Sequence, residues 1–236
     1  MRTPIEVGAV IRRVFKIYVD QAPVLMPAAA VVFVITGILT ELLLAKGSEG
    51  PTLLAEIVSL VANTLFTGMV VELVADVQDG RRDASPGQLL RAVTPVLGQL
   101  IAVAIVTGLG EFVGFVLIIV PGLVLLTIWA VVAPVVVIER PGGLRALGRS
   151  RELVRGNGWQ VFGVIVVLVL GVEVLVGVVG ALAGGSSAIA GIVLRVVVGV
   201  LAAPISALAA AVLYFELGGG RQAAVPLAGE RPNPFG

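Results

Sequence analysis

The sequence of 236 residues contains no histidine and no cysteine. The chain therefore cannot form a disulfide, use an imidazole base or a thiolate nucleophile, or bind a metal through either ligand type. Charged residues are also scarce, at 13% of the sequence, whereas soluble domains contain roughly 25%. These absences exclude a solvated globular domain and most familiar enzyme chemistries.

Hydrophobic residues make up 58% of the chain, and its mean hydropathy is +1.10. A transmembrane helix needs about 20 mostly apolar residues, and turns rich in charge, glycine or proline separate six such segments. We divide the longest apolar stretch at Val120-Pro-Gly122. The tail, residues 218–236, is predicted to be disordered. The predicted spans are residues 22–44, 53–75, 96–119, 121–138, 159–182 and 188–213.

The basic residues alternate in phase with these six spans. Of the 16, 14 lie in the N-terminal segment, the connections at 76–95 and 139–158, and the tail, whereas Lys46 alone occupies the opposite loops. Because cytoplasmic loops accumulate Arg and Lys, we expect a multi-pass protein of the bacterial inner membrane with both termini in the cytoplasm. Lys46 and Ser186 should then face outward.

Amphipathic segments precede the first, third and fifth spans, at residues 5–20, 86–94 and 143–155. Their charged residues fall on one helical face and their apolar residues on the other, which is typical of helices that lie in the membrane interface. The predicted fold is an all-α membrane protein with six spans in three hairpins, each preceded by such a helix. Six basic residues should bind anionic inner-leaflet headgroups: Arg12, Arg13, Lys16, Arg145, Arg149 and Arg155.

Three stretches carry a family resemblance: Ile11-Arg-Arg-Val-Phe-Lys-Ile-Tyr18, Pro134-Val-Val-Val-Ile-Glu-Arg-Pro-Gly142 and Arg149-Ser-Arg-Glu-Leu-Val-Arg-Gly156. With these the chain resembles the glycerophosphoryl diester phosphodiesterase membrane-domain family and related uncharacterised six-span bacterial membrane proteins. Fused members of that family carry their activity in a separate soluble barrel with histidines. This sequence has no such barrel and no histidine, so the resemblance implies the membrane part alone.

Three ionisable residues lie within the predicted spans: Glu111, Glu173 and Arg195. At ~1.5 Å per residue, each lies roughly 10 to 14 Å below the outer surface. A charge that faces lipid alone costs several kcal/mol, whereas groups at one depth can neutralise one another. We expect an intramembrane cluster, which serves either as a structural ion pair or as a proton or headgroup site.

The leading interpretation is a non-enzymatic integral membrane protein that interacts with lipid or another amphiphile and moves or presents it. One alternative is a secondary transporter coupled to protons through Glu111 or Glu173. Another is a structural or regulatory membrane subunit without a ligand. The sequence predicts no cofactor, no metal and no nucleic-acid partner. Whether a second copy or another membrane protein binds the chain stays open.

Overall fold

The computed structural model describes residues 5–44, 49–80, 85–183 and 188–219, and within these ranges the chain forms helices and turns without a strand. The α-helices are α1 Val7–Asp20, α2 Ala22–Leu44, α3 Glu49–Gln78, α4 Pro86–Val93, α5 Leu97–Leu117, α6 Ile119–Ile128, α7 Val132–Pro134, α8 Arg145–Val154, α9 Gly158–Val164, α10 Gly171–Ala183 and α11 Ala188–Glu216. A 3₁₀ turn, Thr94–Val96, joins α4 to α5. A π-helical segment follows α7 at Val135–Glu139, and another follows α9 at Ile165–Leu170.

Five helical stretches in the described ranges are long and apolar enough to cross a membrane. A sixth is obtained if the bent pair Val7–Asp20 and Ala22–Ile38 counts as one span. The predicted multi-pass, all-helical class is thus confirmed, with five or six spans. The five are Ile57–Gln78, Pro86–Leu117, Ile119–Glu139, Gly158–Val179 and Val196–Glu216.

Helices α3 and α11 form the centre of the bundle. Leu208, Leu213 and Tyr214 of α11 and Phe66 and Val71 of α3 are almost fully buried. Consecutive helices pack side by side in the pairs α2 and α3, α5 and α6, and α10 and α11, while α11 also contacts α1, α2 and α3. The arrangement in three hairpins, each preceded by an interfacial helix, stays a prediction.

Helix α1 turns by 82° into α2 at Gln21. We expected its apolar face to rest on the membrane. Instead Val10, Val14 and Ile17 are buried, and α1 packs on α11, α9 and α2. The neighbouring helices therefore cover the apolar face of α1 in place of lipid. Phe15 is the large apolar side chain near the middle of α1 that stays exposed.

The turn between α5 and α6 lies at Ile118, whereas the sequence predicts it at Val120-Pro-Gly122. Ile118 has an extended backbone, and α6 begins at Ile119 with Pro121 in its first turn. Proline is tolerated there because the first N–H groups of a helix have no partner within it. Gly122 lies directly against α5: a Cβ built on Gly114 would be 3.0 Å from the Gly122 Cα and N atoms.

The segment predicted at 86–94 is the helix Pro86–Val93, which Ser85 caps through a reciprocal hydrogen-bonded box with Gln88. The Thr94-Pro95 pair does not break the chain but only tightens it into the 3₁₀ turn, so α4 continues into the span Pro86–Leu117. Helix α11 likewise runs through Pro204. The predicted outward loops with Lys46 and Ser186, and all but two residues of the predicted tail, lie outside the described residues.

We expect Gly114→Ala to destabilise the fold by ~1 to 3 kcal/mol, because the new methyl group meets backbone atoms that cannot move aside. Gly108→Ala in the same helix is the matched control, since a Cβ there meets nothing within 4 Å. Thermal unfolding in a mild detergent measures both. Equal unfolding temperatures for the two variants would contradict the close approach of α5 and α6.

Candidate functional site

A cleft of about 270 Å³ lies between α3, α5 and the segment that follows α6, and we call it the Glu111 cleft. Asn63 and Thr67 of α3 and Thr107 of α5 line it with Glu111. Thr107 donates its hydroxyl to the Val103 carbonyl at 3.0 Å, and Thr67 donates to the Asn63 carbonyl at 2.9 Å. The threonine donors are therefore used within their own helices.

Besides the threonines, which include Thr64, the polar groups that line this cleft are the Glu111 carboxylate and the Asn63 carboxamide. Among the described residues neither side chain has a hydrogen-bond or ion-pair partner. Trp129 forms one wall, and its ring lies so close to Gly110 that a Cβ there would be 2.7 Å from it. The cleft thus presents a carboxylate and a carboxamide beside an indole, within a predominantly apolar wall.

Glu173 lies in a different cleft, of about 400 Å³, which we call the Glu173 cleft. Its walls come from α2, α3, α10 and α11, and it shares Asn63 and Thr67 with the Glu111 cleft. The sequence predicts one cluster of Glu111, Glu173 and Arg195, whereas the structure places the two carboxylates on separate clefts along α3. Equal depth does not fix the face on which a residue lies. The side chain of Arg195 is outside the described residues, so its pairing stays a prediction.

The span Ile119–Glu139, the fourth in the predicted order, is interrupted where it lines the Glu111 cleft. Pro134 has no N–H to donate to the Ala130 carbonyl, and its ring disfavours a regular helix over the preceding turn. The Val132 N–H donates to Trp129 at 3.1 Å, one residue short of the regular helical acceptor. The Ile128 carbonyl is left without that donor, and the Ser150 hydroxyl of α8 donates to it at 2.8 Å. Ser150 is fully buried.

A charged network joins the end of the same span to α8 and α11. Arg149 donates to both carboxylate oxygens of Glu139, at 2.8 Å from Nε and 3.3 Å from Nη2. The Tyr214 hydroxyl donates to Glu139 Oε1 at 3.1 Å. The side chains of Arg149 and Glu139 are only 18% and 17% exposed, so water screens the pair weakly.

The hydrogen bond to Glu139 raises the pKa of Arg149 above its ordinary value, although partial burial opposes the shift. A cation with a raised pKa in the folded state stabilises the fold at every pH below its ordinary pKa. Arg149 therefore contributes a constant amount to stability across the physiological range. Glu152 lies 3.6 Å from Arg149 at the edge of the network.

The turn after Glu139 is held by Arg140, which adopts a left-handed backbone with φ 48°. Its Nε donates to the Val137 carbonyl at 3.2 Å, and its guanidinium lies 4.0 Å from the Glu72 carboxylate of α3. Arg140 thus satisfies a carbonyl at the end of the π-helical segment. It also ties the turn to the central helix.

The basic residues that the sequence assigns to anionic lipid fall into two groups. Arg13 is engaged within the protein, since it pairs with Glu216 and donates to Gln78 Oε1 at 2.7 Å. Arg149 is engaged as described above. The other four are exposed: Arg12, Lys16, Arg145 and Arg155. Of these, Arg12 also lies 3.7 Å from Glu6.

Sequence reasoning missed Glu139, Ser150 and Tyr214 as partners. Glu139 and Ser150 lie within the stretches that carry the family resemblance, yet neither was given a role. A carboxylate at the end of an apolar span, ten residues before an arginine on an amphipathic helix, is the signal that could have identified the pair. In the described residues no group of three or more acidic side chains could hold a metal ion.

We expect Arg149→Ala to destabilise the protein by about 2 kcal/mol, because it leaves the Glu139 carboxylate partly buried and unpaired. Arg149→Lys should recover only part of this loss, since an ammonium cannot form the paired hydrogen bonds. Arg145→Ala, an exposed position in the same helix, is the control and should change stability by less than about 0.5 kcal/mol. Equal unfolding temperatures for Arg149→Ala and Arg145→Ala would refute the network.

Comparison with known proteins gives one significant likeness. Over 138 residues the chain is 34% identical to a UPF0259 membrane protein of Pectobacterium carotovorum, a stretch that covers 58% of this chain and 54% of that protein. The chain thus spans about half the length of the curated relative that it matches. No protein-family model and no solved structure matches the chain, so the likeness to the glycerophosphoryl diester phosphodiesterase family is not shown. The relative and the five or six apolar helices together identify a multi-pass membrane protein.

Proposed function

We propose that this protein is a non-enzymatic membrane protein that binds a lipid or another amphiphile, with the polar end of the ligand in the Glu111 cleft. The observation that carries the proposal is that Glu111 and Asn63 line one cleft among apolar helices, where neither side chain has a hydrogen-bond or ion-pair partner among the described residues. Polar groups in such a position are expensive unless something binds them. A ligand that donates hydrogen bonds offsets that cost.

The apolar part of the ligand has a surface to contact beside the cleft. Leu109, Phe112 and Val113 flank Glu111 along α5 and are all more than half exposed. Exposed apolar residues on a spanning helix contact acyl chains. An amphiphile can therefore place a donor group at Glu111 while its chain stays in the bilayer. A cleft of about 270 Å³ holds a headgroup fragment rather than a whole lipid.

The basic residues on α1 and α8 support the same function. Arg12, Lys16 and Arg145 are exposed and are predicted to face the cytoplasmic leaflet. Each basic side chain near an anionic surface contributes about 1 kcal/mol to attraction. They would concentrate anionic amphiphiles in the cytoplasmic leaflet beside the bundle.

The runner-up function is proton-coupled transport through Glu111. The observation that favours it is the second carboxylate, Glu173, across α3 from the first and sharing Asn63 as a cleft residue. Proton relays in membrane transporters use chains of carboxylates or histidines within the spans. The two functions differ in whether Glu111→Gln, which keeps hydrogen bonding but cannot ionise, abolishes a proton flux.

The test is native mass spectrometry of the protein released from nanodiscs of bacterial polar lipid. The wild type should retain lipid, and Glu111→Leu should retain about tenfold less, because the loss of one charge-assisted hydrogen bond costs about 1.4 kcal/mol or more. Glu173→Leu, which removes a carboxylate from the other cleft, is the control and should retain lipid as the wild type does.

If the wild-type protein is observed without bound lipid, the proposal is overturned in favour of a structural subunit. Equal lipid retention by Glu111→Leu and the wild type would show that the Glu111 cleft is not the lipid-binding site. If Glu111→Gln keeps its lipid but proteoliposomes of that variant lose a proton flux that the wild type shows, the runner-up is the better account.

A further inference from the structure

A third cavity, separate from the two clefts, lies where α8 ends and α9 begins. It measures about 400 Å³, and we call it the arginine cavity. Arg151, Arg155 and Glu152 supply its charged walls, and Ile128 contributes from the interrupted fourth span. Arg151 and Arg155 are four residues apart, which places their side chains on one side of the helix end.

The charges in this cavity are not balanced. Its acidic residue, Glu152, is engaged by Arg149 at 3.6 Å, and Arg149 does not line the cavity. Among the described residues, Arg151 and Arg155 have no acidic partner. Two exposed guanidinium groups therefore line one partly open volume with no acidic partner among the described residues, and an anion would stabilise them.

The remaining walls leave room for such an anion. Gly156 and Gly158 line the cavity, and a Cβ at either position would meet nothing within 4 Å. A volume of about 400 Å³ is in the range of small-ligand sites. Guanidinium forks match phosphate oxygens geometrically, because each can donate two parallel hydrogen bonds.

The position of the cavity indicates where the anion comes from. Trp159, the residue after Gly158, is 83% exposed. Exposed tryptophans near the ends of spanning helices are typical of the headgroup level of the membrane. Here the span Gly158–Val179 begins beside the cavity. Phosphate groups are concentrated at that level, carried by lipids.

We propose that the arginine cavity binds the phosphate group of a phosphate-bearing amphiphile, held by Arg151 and Arg155. The inference rests on the proposed function for the identity of the ligand as an amphiphile, and it adds the chemistry of the headgroup. It concerns residues outside the Glu111 cleft, so each site can fail without the other. Free phosphate shares the chemistry and is the second possible source.

The test measures binding of dioctanoyl phosphatidic acid to the full chain in a nonionic detergent by native mass spectrometry. The double variant Arg151→Gln, Arg155→Gln should weaken binding ~10- to 100-fold, since each charge-assisted contact contributes about 1.4 kcal/mol or more. The matched control is Arg81→Gln, Arg82→Gln, which removes the same charge from the predicted cytoplasmic connection at 76–95 and should weaken binding by less than about threefold. Unfolding temperatures show that both variants are folded.

Two further probes distinguish a lipid headgroup from free phosphate as the source of the bound phosphate group. Dioctanoylglycerol, which has the same chains without phosphate, should not bind at comparable concentrations, and equal binding of the two lipids would overturn the proposal. Inorganic phosphate that displaces the lipid supports recognition of the phosphate group alone, and failure to displace it supports a lipid source. An equal loss of binding in the cavity variant and the Arg81→Gln, Arg82→Gln control would also overturn the proposal, because it would show only general attraction to charge.

Phosphatidic acid binding in Glu111→Leu distinguishes this inference from the proposed function. If that variant still binds phosphatidic acid as the wild type does, the arginine cavity stands alone and the Glu111 cleft is not needed for it. If Glu111→Leu loses lipid retention while the arginine double variant does not, phosphate binding in the arginine cavity is refuted and the proposed function stands.

Discussion

The arrangement depends on how the interrupted fourth span satisfies its backbone. Hydrocarbon offers no hydrogen bonds, so every backbone carbonyl within a span needs a partner in the protein. Pro134 removes one donor, and the shortened bond from Val132 to Trp129 leaves the Ile128 carbonyl open. Ser150 fills that position at 2.8 Å. A single buried hydroxyl thus allows the helix to break and fixes α8 against it.

Helix α8 then connects distant parts of the bundle. From the residue next to Ser150, Arg149 forms a two-point ion pair with Glu139, and Glu139 accepts a further hydrogen bond from Tyr214 near the end of α11. The network thereby joins the fourth span, α8 and the central helix. Removing one member leaves a partly buried charge unpaired, which is why such networks break cooperatively.

The same break also lies between two of the cavities. Trp129 and Ala130 line the Glu111 cleft, while Ile128 lines the arginine cavity on the other side. A ligand in either volume therefore touches residues next to the Ser150 hydrogen bond. In the proposed function this shared wall is the place where a headgroup bound near α8 and a polar group bound near Glu111 would influence one another.

Hydropathy and turn residues predict much of the fold, because burial in a bilayer is decided residue by residue. The helices α1, α4 and α8 and the order of the spans follow from these patterns. The turn at Ile118 was missed because a proline in the first turn of a helix looks in sequence like a proline that ends one. The burial of Val14, on the apolar face of α1, was missed because an amphipathic sequence has the same pattern whether lipid or protein covers its apolar face.

The site was less predictable than the fold. Glu111 and Glu173 could be found as charges within spans, but the helical face that separates them depends on packing. Ser150 could not be found at all. The pattern of an amphipathic helix predicts that a serine in it lies on the surface. The role of Ser150 depends on the Ile128 carbonyl, 22 residues earlier, which lacks its regular helical donor only in the folded chain.

The most direct test of the account is the state of the Ile128 carbonyl. Ile128-Trp129 is the sole Ile-Trp pair in the sequence, so protein labelled with carbonyl-¹³C isoleucine and ¹⁵N tryptophan gives one carbonyl-to-nitrogen cross-peak in solid-state NMR. We expect Ser150→Ala to move the carbonyl shift upfield, because the hydroxyl donor is lost, and Ser206→Ala in α11 to leave it unchanged. A cross-peak at the same position in the wild type and Ser150→Ala would contradict the hydrogen bond on which the arrangement depends.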